Sequence, residues 1–321
     1  METILNITNG DSAVMAMQLA EIPGDFLPWR DVLHDGPVPA SLSLEQLSEV
    51  RAQFISDQGW GELAVVMNSF KGRDRELLFF RNYSKVRLWF EHDLYDQLQV
   101  LQILDWFREN SPGTTNLSII CTEQYLGLAS PEQIRTLLQY EELITESHLM
   151  LAKNAWSAFR SHDPENWQEL LQDDTSRLPF LNGAVLRLLE EYPDYTCGLS
   201  RTAQTALKIL SQGQYTFGEL FGKYQETEER LFLGDLSFWA ILRQLLTSNS
   251  ALITSTSDLQ ITTPPCPEQQ LTITPAGEKV LAGKQNWLDT VTLDHWIGGV
   301  HLTTENSWCW NSKLLALVKQ R

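Results

Sequence analysis

The stretch that decides the fold is Val86-Arg87-Leu88-Trp89-Phe90-Glu91-His92-Asp93-Leu94-Tyr95-Asp96-Gln97. Its first half is an apolar run, and residues 85–90 read as a strand buried on both faces. Its second half crowds Glu91, His92, Asp93 and Asp96 where that strand must end. Over 94–108 apolar residues return at helical spacing, which predicts an amphipathic helix with a strong apolar face. Strand, polar turn and helix in that order form part of a βαβ unit.

Working outward, the same order recurs. Residues 3–8 read as a strand ending in Asn9-Gly10-Asp11-Ser12, and 12–20 as a helix with Asp11 or Ser12 as N-cap. After Gly24, the run Phe26-Leu27-Pro28-Trp29 leads into Arg30-Asp31-Val32-Leu33-His34-Asp35-Gly36-Pro37, which ends in a Gly-Pro turn. Residues 43–57 and 59–69 look helical, 116–121 a strand and 131–140 a helix. The alternation predicts an α/β fold: a parallel-sheet, Rossmann-like N-terminal domain over 1–146 with right-handed crossovers. All three polar clusters then gather at the carboxyl edge of one sheet, where open α/β sheets bind ligands.

Beyond residue 147 the pattern changes. Residues 147–195 read as a helical connector, with Trp156, Phe159, Trp167 and Leu170 as core candidates. Residues 196–321 read as a winged-helix-like domain with a Trp-rich tail. Helices over 202–210, 216–224 and 236–246 and strand-like runs over 251–254 and 270–274 give three helices and a hairpin. The third helix holds a single basic residue, Arg243. A DNA-reading helix needs several Arg, Lys, Asn or Gln side chains on one face, so packing or protein contact is the expected use. In the tail, Trp296, Trp308 and Trp310 would suit base or sugar stacking, or a core seam. His295 and His301 stand there without a carboxylate motif to partner them.

Composition narrows the classes. The chain has 321 residues, 43% hydrophobic and 20% charged, which is ordinary for a globular protein of two or three domains. The net charge is −17, of which −12 falls in 1–150, −4 in 151–195 and −1 in 196–321. Acidic surfaces repel phosphate backbones, so nucleic acid is not the expected partner. No apolar run approaches the roughly 20 residues that span a bilayer, and no membrane contact is expected. Met1-Glu2-Thr3 does not begin a signal peptide, which leads us to expect a cytoplasmic protein. Cys121, Cys197, Cys266 and Cys309 stand singly and read as reduced thiols.

Three constellations carry chemistry. Small polar residues between a strand and a helix, here Asn9, Asp11 and Ser12, leave backbone N–H groups that favour an anion; the same residues would also serve simply to cap the helix. The glycine-rich dinucleotide fingerprint and the P-loop are both missing. Gly10-Asp11-Ser12 is similar to a block of an esterase family with an early serine nucleophile, but the late Asp-x-x-His pair of that family is not present, since Asp294 and His295 are adjacent. In the second cluster, Arg30 would neutralise an anion and an Asp would fix the tautomer of His34; alternatively Arg30 and an Asp brace the loop. In the third, Glu91, His92 and Asp93 suit acid–base work or an oxygen-rich divalent metal site, and Asp93 with Asp96 would equally cap the next helix.

These same motifs resemble a bacterial family of uncharacterised proteins, the domain of unknown function eighteen thirty-five. The likeness rests on Asn9 to Ala13, Trp29 to Pro37 and Phe90 to Gln97, and in the C-terminal half on Leu271 to Gly277 and Trp296 to Leu302. The family usually carries an arginine before the tail tryptophan, where this chain has His295. The resemblance implies the architecture and the choice of residues, but no reaction.

The expectation is an enzyme, a hydrolase or a phosphate-handling transferase, acting on an anionic or phosphorylated small molecule at the sheet edge. Asn9, Asp11, Ser12, Arg30 and Asp96 would bind the substrate. His34, Glu91, His92 and Asp93 would supply acid–base or metal chemistry, with a divalent cation as cofactor. The alternatives are a ligand-sensing regulator whose C-terminal part binds a protein or DNA, and a serine hydrolase using Ser12.

Overall fold

A computed structural model describes residues 2–255 and 261–319. Five strands form the main sheet: β1 (Ile4–Thr8), β2 (Asp25–Pro28), β3 (Lys85–Glu91), β4 (Asn116–Thr122) and β5 (Glu142–Leu143). Their order is β2-β1-β3-β4-β5. The first four are parallel and β5 runs antiparallel to β4. The fold is therefore α/β with a mostly parallel sheet. Thr8 pairs with Trp89 and Glu91 with Thr122, which sets the carboxyl ends of β1, β3 and β4 side by side. The chain leaves β1 for β2 on one side and later returns to build β3 on the other. The crevice between the ends of β1 and β3 is thus the switch point of the sheet.

The strands are buried for the reason read from their sequence. Trp89 and Ile120 pack with Ala13, Ala16 and Met17 of α1 (Asp11–Leu19) and Ile134 and Leu137 of α5 (Pro131–Leu137). Leu88 and Phe90 alternate to the opposite face and are fully buried too, so helices must cover both faces. Connecting the strands are α2 (Leu44–Asp57), α3 (Leu63–Leu78) and α4 (Leu94–Glu109), and α4 packs on α6 (Glu146–Phe159).

Several details differ from expectation. Helix α1 begins at Asp11 with Gly10 as N-cap and no side-chain cap, because the Asp11 carboxylate is taken by Arg30. Helix α3 starts at Leu63, past the glycines, and runs through Gly72 because Phe70, Arg73, Asp74 and Leu77 bury one face. Helix α4 is not amphipathic: from Leu94 to Leu104 every residue but Tyr95 is buried. Its buried glutamines are used internally, Gln102 accepting from Trp29 Nε1 at 2.8 Å and Gln99 donating to the Asp31 carbonyl at 2.9 Å.

The chain divides into two compact units. The first runs to Asp57, resumes over Gly61–Val185 and includes Gly298–Val300. The expected connector is shared between the units, with α6 and α7 (Glu165–Glu169) in the first and α8 (Leu181–Leu189) crossing the division. Gly298, at φ 58°, and Gly299 lie so close to the backbone of Phe159 and Arg160 that no Cβ fits at either position.

The second unit holds α9 (Arg201–Leu210), α10 (Phe217–Gln225), α11 (Asp235–Thr247) and α12 (Pro275–Leu281). Strands β6 (Tyr215–Thr216), β7 (Ile253–Ser255) and β8 (Gln270–Ile273) form an antiparallel sheet with β8 central. β9 (Trp308–Asn311) pairs with β10 (Ala316–Lys319). Residues 256–260 of the expected hairpin lie outside the described residues. A buried ion network anchors this unit: Arg187 pairs with Glu191 at 2.6 Å and Glu228 at 2.7 Å. No helix among the described residues is long and apolar enough to cross a membrane.

Candidate functional site

The end of β3 and the start of α4 bring three carboxylates together. Asp93 is the N-cap of α4, and its Oδ1 accepts the Asp96 N–H at 3.2 Å. Side chains on a helix lean towards its N-terminus, so Asp96, in the first turn, reaches back and accepts the Glu91 N–H through Oδ2. Carboxylate oxygens of Glu91, Asp93 and Asp96 consequently lie within 4.8 Å of one another, and all three residues are buried.

Neighbours hold this set in place. Asn9, from the end of β1, donates through Nδ2 to both Asp96 oxygens, at 2.9 and 3.1 Å. The Tyr95 hydroxyl donates to the Asn9 carbonyl at 3.2 Å. Leu126 N–H donates to Glu91 Oε1 at 2.7 Å, and Gln97 Nε2 donates to the Glu91 carbonyl at 2.7 Å. Tyr95 and Gln97 were inside the stretch quoted first but carried no chemical signal there. Leu126 acts through its backbone from 35 residues away, which no pattern in the sequence encodes.

The electrostatics are unusual. Among the described residues no lysine or arginine forms an ion pair with any of the three. Burial raises the Glu91 carboxyl above the ordinary range. Burial, and then the charge of Glu91, pushes Asp93 up to about 7. Burial, followed by Asp93 and Glu91, raises Asp96 well above its usual value. Three such groups cannot all ionise without help. They retain a proton near neutral pH, or they take a cation. The first suits acid–base chemistry, and the oxygen-only donor set suits a hard divalent ion.

The remaining candidates separate. Neither His92 nor His34 belongs to the carboxylate set. His92 packs on Tyr125 at 5.2 Å and Phe180 at 5.9 Å, and His34 lies edge-on to Tyr95 at 6.0 Å. Asp11 and Arg30 form a two-point pair, with Nε to Oδ2 at 2.7 Å, and both are largely exposed. Arg30 holds the Asp11 carboxyl below its usual range and is itself neutralised. Ser12 is exposed on the first turn of α1, and no histidine hydrogen-bonds its hydroxyl among the described residues.

The loop of the second cluster is braced, but not by Arg30. Fully buried Arg51 of α2 pairs with Asp31 at 2.9 Å and donates to the carbonyls of Val32 (2.9 Å), Asp35 (2.7 Å) and Pro37 (3.3 Å). Sequence reading had no reason to single out an arginine inside a helix.

In the tail, His301 does have a carboxylate partner, Asp294, at 2.7 Å, and stacks on Trp296 at 4.4 Å. Trp308 and Trp310 are buried, as a core seam requires. Arg243, the basic residue of α11, is used internally, donating to Thr263 Oγ1 at 2.8 Å and Gln58 Oε1 at 3.0 Å. Among the described residues none of the four cysteines forms a disulfide. No known protein-family model matches this chain, and no curated protein sequence matches it.

Proposed function

We propose that this protein is an enzyme, a hydrolase or phosphate-handling transferase, that acts on an anionic, phosphorylated small molecule at the switch point of the sheet. The observation that carries the reading is the buried Glu91, Asp93 and Asp96 set, whose oxygens converge within 4.8 Å and which, among the described residues, no lysine or arginine pairs with. Two uses follow from that chemistry. A Mg²⁺, Mn²⁺ or Ca²⁺ ion would bind through these oxygens and supply the positive charge that a phosphorylated substrate needs. Asp93, with a carboxyl that titrates near neutrality, would give or accept a proton. The uncapped start of α1 at Asn9, Asp11 and Ser12 offers backbone N–H groups to the anion. Arg30 enters only if the ligand displaces Asp11.

This reading takes the first unit as Rossmann-like, related to the family of unknown function resembled by its motifs, and the helices and strands over 201–273 as winged-helix-like. The regulator reading through DNA is weakened because Arg243 is occupied. The serine-hydrolase reading gains no base for Ser12.

The test is a thermal-shift screen of the full chain at pH 7.5 with MgCl₂, MnCl₂ and CaCl₂, alone and with phosphorylated metabolites. A ligand at a hundredfold excess over its Kd adds about 2.7 kcal/mol. A stabilising cation whose effect disappears in Glu91→Gln and Asp93→Asn supports the reading. A folded protein that responds to no cation and no phosphorylated compound refutes it.

A further inference from the structure

The second unit contains a cleft of about 320 Å³, a size at which small-molecule sites occur. One wall is α9, where Arg201, Gln204, Thr205 and Lys208 follow at i, i+3, i+4 and i+7 and so share a face. The opposite face of α9 is fixed by the buried Ala203, Ala206, Leu207 and Leu210. Tyr192 and Trp310 also line the cleft, and both are at most 4% exposed, so the lining is firmly packed.

Some polar groups of the lining are already taken by the protein itself. Arg201 is taken by Glu190 at 2.5 Å and Glu228 at 3.4 Å. Asp194 Oδ1 accepts the N–H groups of Thr196 at 2.8 Å and Cys197 at 3.1 Å. Gln204 Nε2 donates to the Leu199 carbonyl at 3.0 Å, which leaves its Oε1 as an acceptor. Among the described residues Lys208 has no ion pair, and the hydroxyls of Thr205 and Ser312 have no hydrogen bond. The unspent capacity is the positive charge of Lys208, the negative charge of Asp194, two hydroxyl donors and the acceptor on Gln204. A neutral or cationic ligand would leave Lys208 unused, and a bare anion would leave the acceptors unused.

We propose that this cleft is a binding site for a small hydroxylated anion of the sugar-phosphate or sugar-acid type. Lys208 meets the anionic group, Thr205 and Ser312 donate to ligand oxygens, and Gln204 Oε1 accepts from a ligand hydroxyl. The site shares no residue with the sheet edge and does not depend on the reaction proposed there.

Calorimetric titration of the full chain with glucose 6-phosphate, gluconate, glucose and inorganic phosphate tests it. Glucose 6-phosphate or gluconate should bind, while glucose and inorganic phosphate bind at least tenfold more weakly. Lys208→Met removes the charge from an exposed side chain and should weaken the anion about tenfold. Thr205→Val should weaken it several-fold, with unchanged far-UV circular dichroism in both variants. Binding of glucose 6-phosphate but not gluconate identifies the phosphoryl group, carried on a hydroxylated frame, as the recognised anion. If neither sugar anion binds the folded protein, or if Lys208→Met binds as the wild type does, the assignment is wrong.

Discussion

Replacing Asp93 by asparagine should stabilise the protein at alkaline pH and not at acidic pH. The carboxyl rises from an ordinary value near 4 to about 7 in the folded protein, because it is buried beside Glu91. The folded state therefore holds the proton to higher pH than the unfolded chain does. Stability is complete below about pH 4 and is lost as pH rises through about 7. The whole interval corresponds to about 4 kcal/mol, roughly 3 of it between pH 5 and pH 8. Asparagine keeps the shape and caps a helix as well as aspartate does, so the bond to Asp96 N–H that starts α4 survives. Urea unfolding, followed by far-UV circular dichroism at pH 5 and pH 8 without divalent cations, gives the comparison. The advantage of Asp93→Asn over wild type should grow by roughly 3 kcal/mol between the two pH values. Taking the difference between the two proteins cancels the titrating groups that do not face Asp93 and leaves the response of Asp93 with its neighbours Glu91 and Asp96. Equal differences at pH 5 and pH 8 would refute the claim that burial beside Glu91 raises the Asp93 carboxyl.

Four further outcomes follow. Saturating MgCl₂ or MnCl₂ should flatten the pH dependence of the wild type, because a bound cation replaces the proton; melting curves from pH 5 to 8 check this. Arg51→Met should cost about 3–5 kcal/mol, since it strands buried Asp31 and three carbonyls, and should show as a lower urea midpoint. Arg30→Ala should change stability by less than about 1 kcal/mol in the same assay, because its pair with Asp11 is exposed. Gly299→Ala should lower the melting temperature sharply, its Cβ colliding with the Arg160 backbone, whereas Gly72→Ala, which meets nothing, should raise it slightly.

The architecture of the first unit was legible because it rests on local patterns. Doubly buried strands read as continuous apolar runs, and 85–90 became β3 with one residue added. The convergence of Glu91, Asp93 and Asp96 was legible too, since it needs only a strand end followed by a helix start. What escaped notice depends on partners far along the chain. Arg30 goes to Asp11 and Arg51 to Asp31, and nothing in residue type distinguishes one arginine from the other. The glutamines of α4 look like a solvent face until Trp29 and the Asp31 carbonyl are known to be there. The N-cap of α1 is hidden for the same reason, because a distant guanidinium takes the Asp11 carboxylate. The pairing of His301 with Asp294 depends on two strands folding back, which the adjacency of Asp294 and His295 concealed.

The three carboxylates are carried on a single segment only six residues long, from Glu91 to Asp96. Their mutual distances are a property of one strand–turn–helix, whereas Asn9 and Leu126 arrive from separate connections. Divergence in those connections can change what reaches the acids without moving the acids themselves. The segment is a fixed mount and the surrounding loops are exchangeable fittings: a change in a loop alters the surroundings of the acids while their spacing stays the same.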